Sequence, residues 1–123
     1  MQDFRNLAVW QKAHRLALGI HRLALGMPRR GNTAYISQIR RAAESISANI
    51  AEGAGRGSDA DFARCLQIAI GSSSELESHL QFGADAEMIP PKEFEARKGE
   101  VIEVRRMLIG LRKRLLSSPP APQ

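Results

Sequence analysis

The stretch that decides the fold is residues 34–52, which read AYISQIRRAAESISANIAE. Its apolar side chains recur at steps of three and four residues, at Ile36, Ile39, Ala43, Ile46 and Ile50. Because an α-helix completes a turn about every 3.6 residues, this spacing collects them on one face. The stretch therefore predicts an amphipathic helix whose isoleucine face is turned toward a core.

Three further segments show the same periodicity, and Gly or Pro residues separate each segment from the next. We expect one domain over residues 1–116 and a disordered tail at 117–123, with helices at about 6–26, 34–52, 58–86 and 91–116. No segment alternates apolar and polar residues over a useful length, so no sheet is predicted. Short connections favour antiparallel neighbours, which predicts an all-α, up-down-up-down four-helix bundle.

Composition excludes several classes of protein. The chain has 123 residues and a single cysteine, Cys65, which excludes an intrachain disulfide framework and a multi-cysteine zinc site. No apolar run approaches the roughly 18 residues of a membrane span, and the first residues lack the plan of a secretion signal. We therefore expect a cytoplasmic protein with no membrane partner.

The formal charge of +5 is unevenly distributed. Residues 1–41 hold eight basic side chains and one acidic, residues 42–91 hold two and eight, and residues 92–123 hold eight and four. Both ends are basic and the middle is acidic. Such an excess of positive charge indicates an anionic partner, such as RNA, DNA or an acidic protein.

The basic residues fall into two series with heptad spacing: Arg15, Arg22 and Arg29, and Lys98, Arg105 and Arg112. On a helix each series would place a positive charge about every 10 Å, which suits a phosphate backbone. We interpret these six residues as candidate nucleic-acid contacts. The alternative is a solvated face, partly paired with Glu100, Glu103 or the acidic third helix.

The first and fourth helices also carry a second apolar stripe, away from the predicted core face. Its members are Leu7, Leu18 and Leu25 on the first helix, and Ile102, Ile109 and Leu116 on the fourth. Aligned apolar residues form a continuous patch, which favours an interface between copies of the chain. The alternative is a set of scattered surface residues, which are common on soluble proteins.

Nothing in the sequence assembles an active site, so we expect no catalysis, no metal and no cofactor. His14 and His21 are two helical turns apart, which is too far for one shared ion. The segment 53–58 follows a helix and lacks the Lys of a phosphate-binding loop, so it indicates a helix-ending turn. One polar cluster, Gln38, Arg41, Ser45, Asn49 and Glu52, shares a side of the second helix. It is either a hydrogen-bond network between helices or subunits, or a contact to a ligand or nucleic acid.

Three blocks of sequence carry a family resemblance. Residues 4–13, FRNLAVWQKA, resemble the opening pattern F-x-x-L-x-V-W-Q-K-A, and residues 37–46 with 49–53 resemble a central signature. Residues 71–77, GSSSELE, resemble the next block. The chain resembles the four-helix-bundle proteins encoded in intervening sequences of large-subunit ribosomal RNA genes, a family that also includes the accessory variability determinant proteins of diversity-generating retroelements.

The resemblance implies a cytosolic four-helix bundle that assembles as a ring-like homopentamer. For the retroelement members it implies binding to nucleic acid and to a reverse transcriptase through a basic surface. It implies no catalytic residue, and it marks signature positions without a known role: Trp10, Gln38, Arg40, Arg41, Asn49, Glu52 and Gly53.

The function expected is therefore a non-enzymatic, oligomeric binding protein. Its basic surface would bind RNA or DNA with low sequence specificity, as an accessory to a nucleic-acid-processing partner. The alternative is a structural scaffold whose basic surface meets an acidic protein and has no nucleic-acid role.

Overall fold

The computed structural model describes residues 3–117, and these form four α-helices. A short 3-10 turn, Phe4–Asn6, precedes the first helix. The helices are α1 (Ala8–Leu25), α2 (Thr33–Ala54), α3 (Asp59–Asp85) and α4 (Pro91–Ser117). Within the described range there is no strand. Ser117, the first residue of the predicted tail, is helical, and residues 118–123 lie outside the described residues.

The helices pack in a closed cycle. α1 packs beside α2 and α4, and α3 packs beside the same two helices, whereas no described Cα atom of α1 lies within 8 Å of one in α3. The start of α2 lies at the end of α3, because the Tyr35 hydroxyl donates to the His79 carbonyl oxygen at 2.5 Å. Lys12 in the first half of α1 pairs with Glu103 near the middle of α4, and Gly19 in the second half of α1 lies against Arg97 near the start of α4. Antiparallel neighbours in a cycle make a four-helix bundle, as the periodicity predicts.

The core is built from the predicted faces. The isoleucine face of α2 is buried, with Ile39, Ile46 and Ile50 at 0% exposure. The other helices contribute mainly aliphatic side chains, among them Leu16, Ile20, Leu66, Leu76, Leu80, Val101, Val104 and Leu108. Each fully buried aliphatic side chain contributes about 1.5–3 kcal/mol through the hydrophobic effect, so this interior holds the bundle together.

The connection between α2 and α3 is shorter than the sequence predicts. Gly53 is buried inside α2 and does not end the helix, which continues to Ala54. A Cβ atom at Gly53 would lie 2.7 Å from the Phe62 ring, so glycine allows α3 to approach closely. Gly57 supplies the turn itself with φ of 87°, and the Ser58 hydroxyl accepts from the Asp61 backbone N–H at 3.2 Å.

The connection between α3 and α4 depends on Gly83. A Cβ atom there would meet the Tyr35 hydroxyl and would lie 2.5 Å from Cδ1 of Ile89, whose side chain is buried. The Gly83 carbonyl also accepts backbone hydrogen bonds from Met88 and Ile89, at 2.8 and 3.2 Å. Gly83 therefore lets the chain fold back over the end of α3.

We predict that Gly83→Ala lowers the free energy of unfolding by roughly 1–3 kcal/mol, because the added methyl overpacks the contact with Ile89. Gly99→Ala is the matched control. Gly99 is also inside a helix, but a Cβ atom there has no neighbour within 4 Å. The control should gain up to about 1 kcal/mol from helix propensity. Urea unfolding followed by circular dichroism measures both, and equal midpoints for the two variants would contradict this account.

Candidate nucleic-acid interface

The basic residues predicted on the first helix are exposed. Arg15 and Arg22 lie on the outer surface of α1. Arg29 is exposed too, but α1 ends at Leu25, so Arg29 lies in the connection to α2 and not on the helix as expected. Within residues 3–117 no carboxylate pairs with any of these three guanidinium groups. Their charge is therefore open to solvent.

The series predicted on the fourth helix has different surroundings. Arg105 forms an ion pair with Glu77 of α3, with Nη2 and Oε1 2.7 Å apart. The Lys98 ammonium lies 5.5 Å from the centre of the Phe94 ring. Arg112 is half-buried, and its Nε is buried without a hydrogen-bond partner. The series therefore follows the side of α4 that faces α3, and the charge of Arg105 is already balanced.

Three separate hollows, of about 380, 340 and 560 Å³, follow one another along the junction of α1 and α4 and together outline a groove. We call it the α1/α4 groove. Its cationic residues are Lys12, Arg15, Arg22, Arg97, Arg106 and Arg114, and its acidic residues are Glu93, Glu100 and Glu103. The sequence pattern did not single out this groove, because the heptad spacing of like charges does not show which neighbour each side chain meets.

Ion pairs inside the α1/α4 groove balance only part of its charge. Lys12 pairs with Glu103 at 3.1 Å, and Arg97 pairs with Glu100 at 3.0 Å. Arg97 lies against α1 at Gly19, where any Cβ atom would collide with its guanidinium group. Arg15 and Arg22 form the outer wall without an acidic partner. With six cationic and three acidic residues, the groove has an excess of positive charge, and Arg15 and Arg22 contribute the part that has no carboxylate partner.

The polar signature of α2 divides into two parts. The Ser45 and Ser72 hydroxyls are 2.8 Å apart, and the Asn49 amide donates to the Ser45 carbonyl oxygen at 2.8 Å. These contacts are a hydrogen-bond network between α2 and α3, which is one of the two interpretations left open. Glu52 pairs with Arg56, which lies in the connection to α3.

The remaining signature residues do not join this network. Gln38 and Arg41 are exposed. Arg40 lies roughly 140° around α2 from Ser45, and its Nε is buried without a hydrogen-bond partner. The structure therefore brings the serine and asparagine side chains together but separates Arg40 from them.

The apolar stripes are exposed to different degrees. Leu18, Leu25, Ile109 and Leu116 are 38–58% exposed. Leu7 packs against the core at the start of α1, and Ile102 is half-buried. Four of the six proposed interface residues thus present a large apolar surface to solvent. Their role between copies stays a prediction.

Aromatic side chains are mostly occupied within the chain. Trp10 stacks on His14, with ring centres 4.6 Å apart, and meets the edge of Phe4 at 4.9 Å. Tyr35 contacts the Phe82 ring at 5.5 Å. Nucleobases bind to free aromatic faces when a protein recognises single strands through stacking. The positive surface therefore has charge available for phosphate but few rings available for bases.

No cluster of His, Cys, Asp and Glu side chains within residues 3–117 has an arrangement that could hold a metal ion. Cys65 is buried. None of the described helices is long and apolar enough to cross a membrane.

The geometry defines a four-helix-bundle protein, and the comparisons with known proteins identify its family. Residues 5–110 match the family model described as 23S rRNA-intervening sequence protein. The chain belongs to this family, which confirms the resemblance of its sequence blocks.

A solved structure shares the fold. It is a protein of unknown function from the S23 ribosomal protein family of Bacteroides thetaiotaomicron, with a TM-score of 0.78 and 28% sequence identity. The similarity covers 86% of this chain and 99% of that one. None of the curated proteins compared matches the chain.

We predict that the Tyr35 hydroxyl loses its proton only at high pH, because burial raises its pKa to about 12. A raised pKa means that folding disfavours the tyrosinate, so stability is lost as the pH rises from about 10 toward 12. Tyr35 is the only tyrosine, so absorbance near 295 nm reports on it alone. The midpoint should lie near 12 in buffer and near 10 in denaturant. A midpoint near 10 for the folded protein would contradict the buried environment.

Proposed function

We propose that this protein is a non-enzymatic binding protein for RNA or DNA, and that it contacts phosphates through Arg15, Arg22, Arg29 and the α1/α4 groove. One observation carries the proposal: the three arginines are exposed, and no carboxylate of the described chain pairs with them. Unpaired guanidinium groups bind phosphates strongly and release counterions from the nucleic acid. The family name, which refers to an intervening sequence of ribosomal RNA, supports an RNA-related role.

The recognition would be weakly dependent on base sequence. Phosphate contacts position a protein on a nucleic acid, whereas contacts to base edges specify sequence. Trp10 is engaged with Phe4 and His14, so it does not offer a free stacking surface. The expected ligand is therefore recognised by its charge and shape, as suits an accessory to a nucleic-acid-processing partner.

The direct test is the triple variant Arg15→Ala, Arg22→Ala, Arg29→Ala. Fluorescence anisotropy with a structured RNA and with duplex DNA should show weaker binding at every salt concentration. For duplex DNA, the slope of log K against log salt should fall by roughly 0.9 for each phosphate contact removed, or about 2–3 in all. A high-affinity complex with an unchanged slope would contradict the assignment of these residues.

A matched control removes the same charge elsewhere. Arg41, Arg64 and Lys92 are exposed on three other helices, and their triple alanine variant has the same net charge as the test variant. It should bind more tightly than the test variant. Poly-glutamate is a second probe: if it binds as well as RNA of equal charge at each salt concentration, the scaffold interpretation with an acidic protein partner is favoured.

We also propose that the protein is a homo-oligomer with five subunits. The exposed leucines of α1 and the exposed Ile109 and Leu116 of α4 support an interface between copies, because water-exposed aliphatic side chains gain free energy on burial. The family resemblance supports the number five. In such a ring the arginine surfaces would be repeated around one axis, which raises affinity through multivalency.

Light scattering after gel filtration tests the oligomer. The chain has a mass of 13.5 kDa, so five copies weigh about 68 kDa. We expect this mass at micromolar concentration, and Leu25→Glu should lower it because Leu25 is 58% exposed and its burial would be lost. A monomeric wild-type protein would contradict the oligomer and leave the phosphate-binding proposal to its own test.

A further inference from the structure

Helix α3 carries an exposed apolar surface that the proposed functions do not use. Ile68 and Phe82 are 47% and 59% exposed and are two heptads apart, with Glu75 midway between them. These residues and Gly71 lie within roughly 60° of each other around the helix. We call this set, Ile68, Gly71, Glu75 and Phe82, the α3 face.

Gly71 has no structural explanation within one copy of the chain. It is exposed in the middle of a 27-residue helix, and a Cβ atom there has no neighbour within 4 Å. By contrast, Gly53 and Gly83 are each required by a side chain that would collide with a methyl group. A glycine inside a helix costs about 1 kcal/mol relative to alanine. Gly99 of α4 is equally open, but Gly71 lies on one side of its helix with two exposed apolar side chains, Ile68 and Phe82, so close approach of another helix to the α3 face would account for its cost.

Charge indicates which helix approaches. α3 contains five acidic residues and one basic, Arg64; Glu77 is paired with Arg105, and the Glu75 carboxylate lies 3.9 Å from Nε2 of His79, one turn along the same helix. α1 contains three basic residues and no acid. Its exposed apolar surface consists of Leu18 and Leu25, flanked by His14 and His21, and we call these four residues the α1 face. Two α3 faces would repel each other because each carries the negative charge of Glu75. The positive charge of α1, from Arg15 and Arg22 beside its face, would instead attract the acidic α3.

The two faces cannot meet within one copy. α1 and α3 occupy opposite corners of the bundle, with no described Cα atoms within 8 Å of each other, and both faces point away from the core. We propose that the α3 face of one copy receives the α1 face of a second copy, in a head-to-tail contact. Such a contact uses two different surfaces, so each added copy leaves one of each free until a ring closes.

This inference rests on the proposed homo-oligomer and specifies its contact surfaces. The contact is compatible with phosphate binding, since Arg15 and Arg22 lie roughly 40–80° around α1 from the leucines, on the side toward α4. They would remain accessible beside the contact. The apolar residues of α4, Ile109 and Leu116, are not needed for it.

The first experiment blocks the α3 face. In Ile68→Glu, Gly71→Leu the added leucine enters space that is open in one copy, so helix content should be unchanged by circular dichroism. The concentration for half-assembly, measured by analytical ultracentrifugation, should rise at least tenfold. Gly99→Leu is the control, because Gly99 is also an exposed mid-helix glycine with open space. It should assemble as the wild type does.

The second experiment tests which face meets which. A variant with a blocked α1 face, Leu18→Glu, Leu25→Glu, should be monomeric alone, as should the variant with the blocked α3 face. Mixed at 100 μM or about that concentration, the two should form a 1:1 dimer and nothing larger, because only one pair of intact faces remains.

Each other result overturns the proposal. Self-association of the variant with a blocked α1 face would show that α3 faces pair with each other, and a mixture that stays monomeric would show that the faces do not meet. Wild-type assembly of either variant would place the interface elsewhere while leaving the homo-oligomer intact. A monomeric wild-type protein would remove the homo-oligomer itself.

Discussion

The charge of α1 is the constraint on which the surface of this protein depends. Lys12, Arg15 and Arg22 are its charged side chains apart from two histidines, and the helix contains no carboxylate. Neutralisation must come from another helix, and α4 provides it only for Lys12, through Glu103. Arg15 and Arg22 are left exposed, and Arg29 extends the same charge beyond the end of the helix.

The arrangement of charge around the bundle follows from its topology. α4 packs between α1 and α3, and it presents acidic residues to α1 and Arg105 to Glu77 of α3. Ion pairing with α4 therefore neutralises negative charge of α3 only on the side of α3 that faces α4. An exposed ion pair contributes little to stability, typically below about 1 kcal/mol, so these pairs matter more for where positive and negative surfaces lie. As a result, the corner of the bundle formed by α1 is positive and the opposite corner, formed by α3, is negative.

The fold was largely predictable because the helical core depends on spacing that is visible in the sequence. The isoleucines of residues 34–52 are buried as predicted. Gly53 was not predictable as a packing residue, because its meaning depends on Phe62 of another helix. A glycine near the end of a helical pattern usually marks the helix terminus. Only the close contact of Gly53 with Phe62 shows that this glycine serves the packing of α2 against α3.

The candidate site was predictable only in part. The exposure of Arg15 and Arg22 follows from their position opposite the core face of α1. The ion pair of Arg105 with Glu77 could not be predicted in this way. Heptad spacing gives the angle of a side chain around its own helix, but it does not show which carboxylate of the neighbouring helix lies opposite. The stacking of Trp10 on His14 is consistent with their four-residue spacing, yet the sequence does not show that Phe4 completes the group. Local periodicity thus predicted the surfaces, and contacts between helices decided which charges remain open.

The central claim is that nucleic acid meets this protein at the positive corner formed by α1. Photo-cross-linking with 4-thiouridine-substituted RNA, followed by mass spectrometry of the linked peptides, tests that location without altering a residue. We predict cross-links in α1, in residues 26–32 and along the α1/α4 groove. Cross-links confined to α2 and α3, or none in an RNA complex that forms at low salt, would contradict the account.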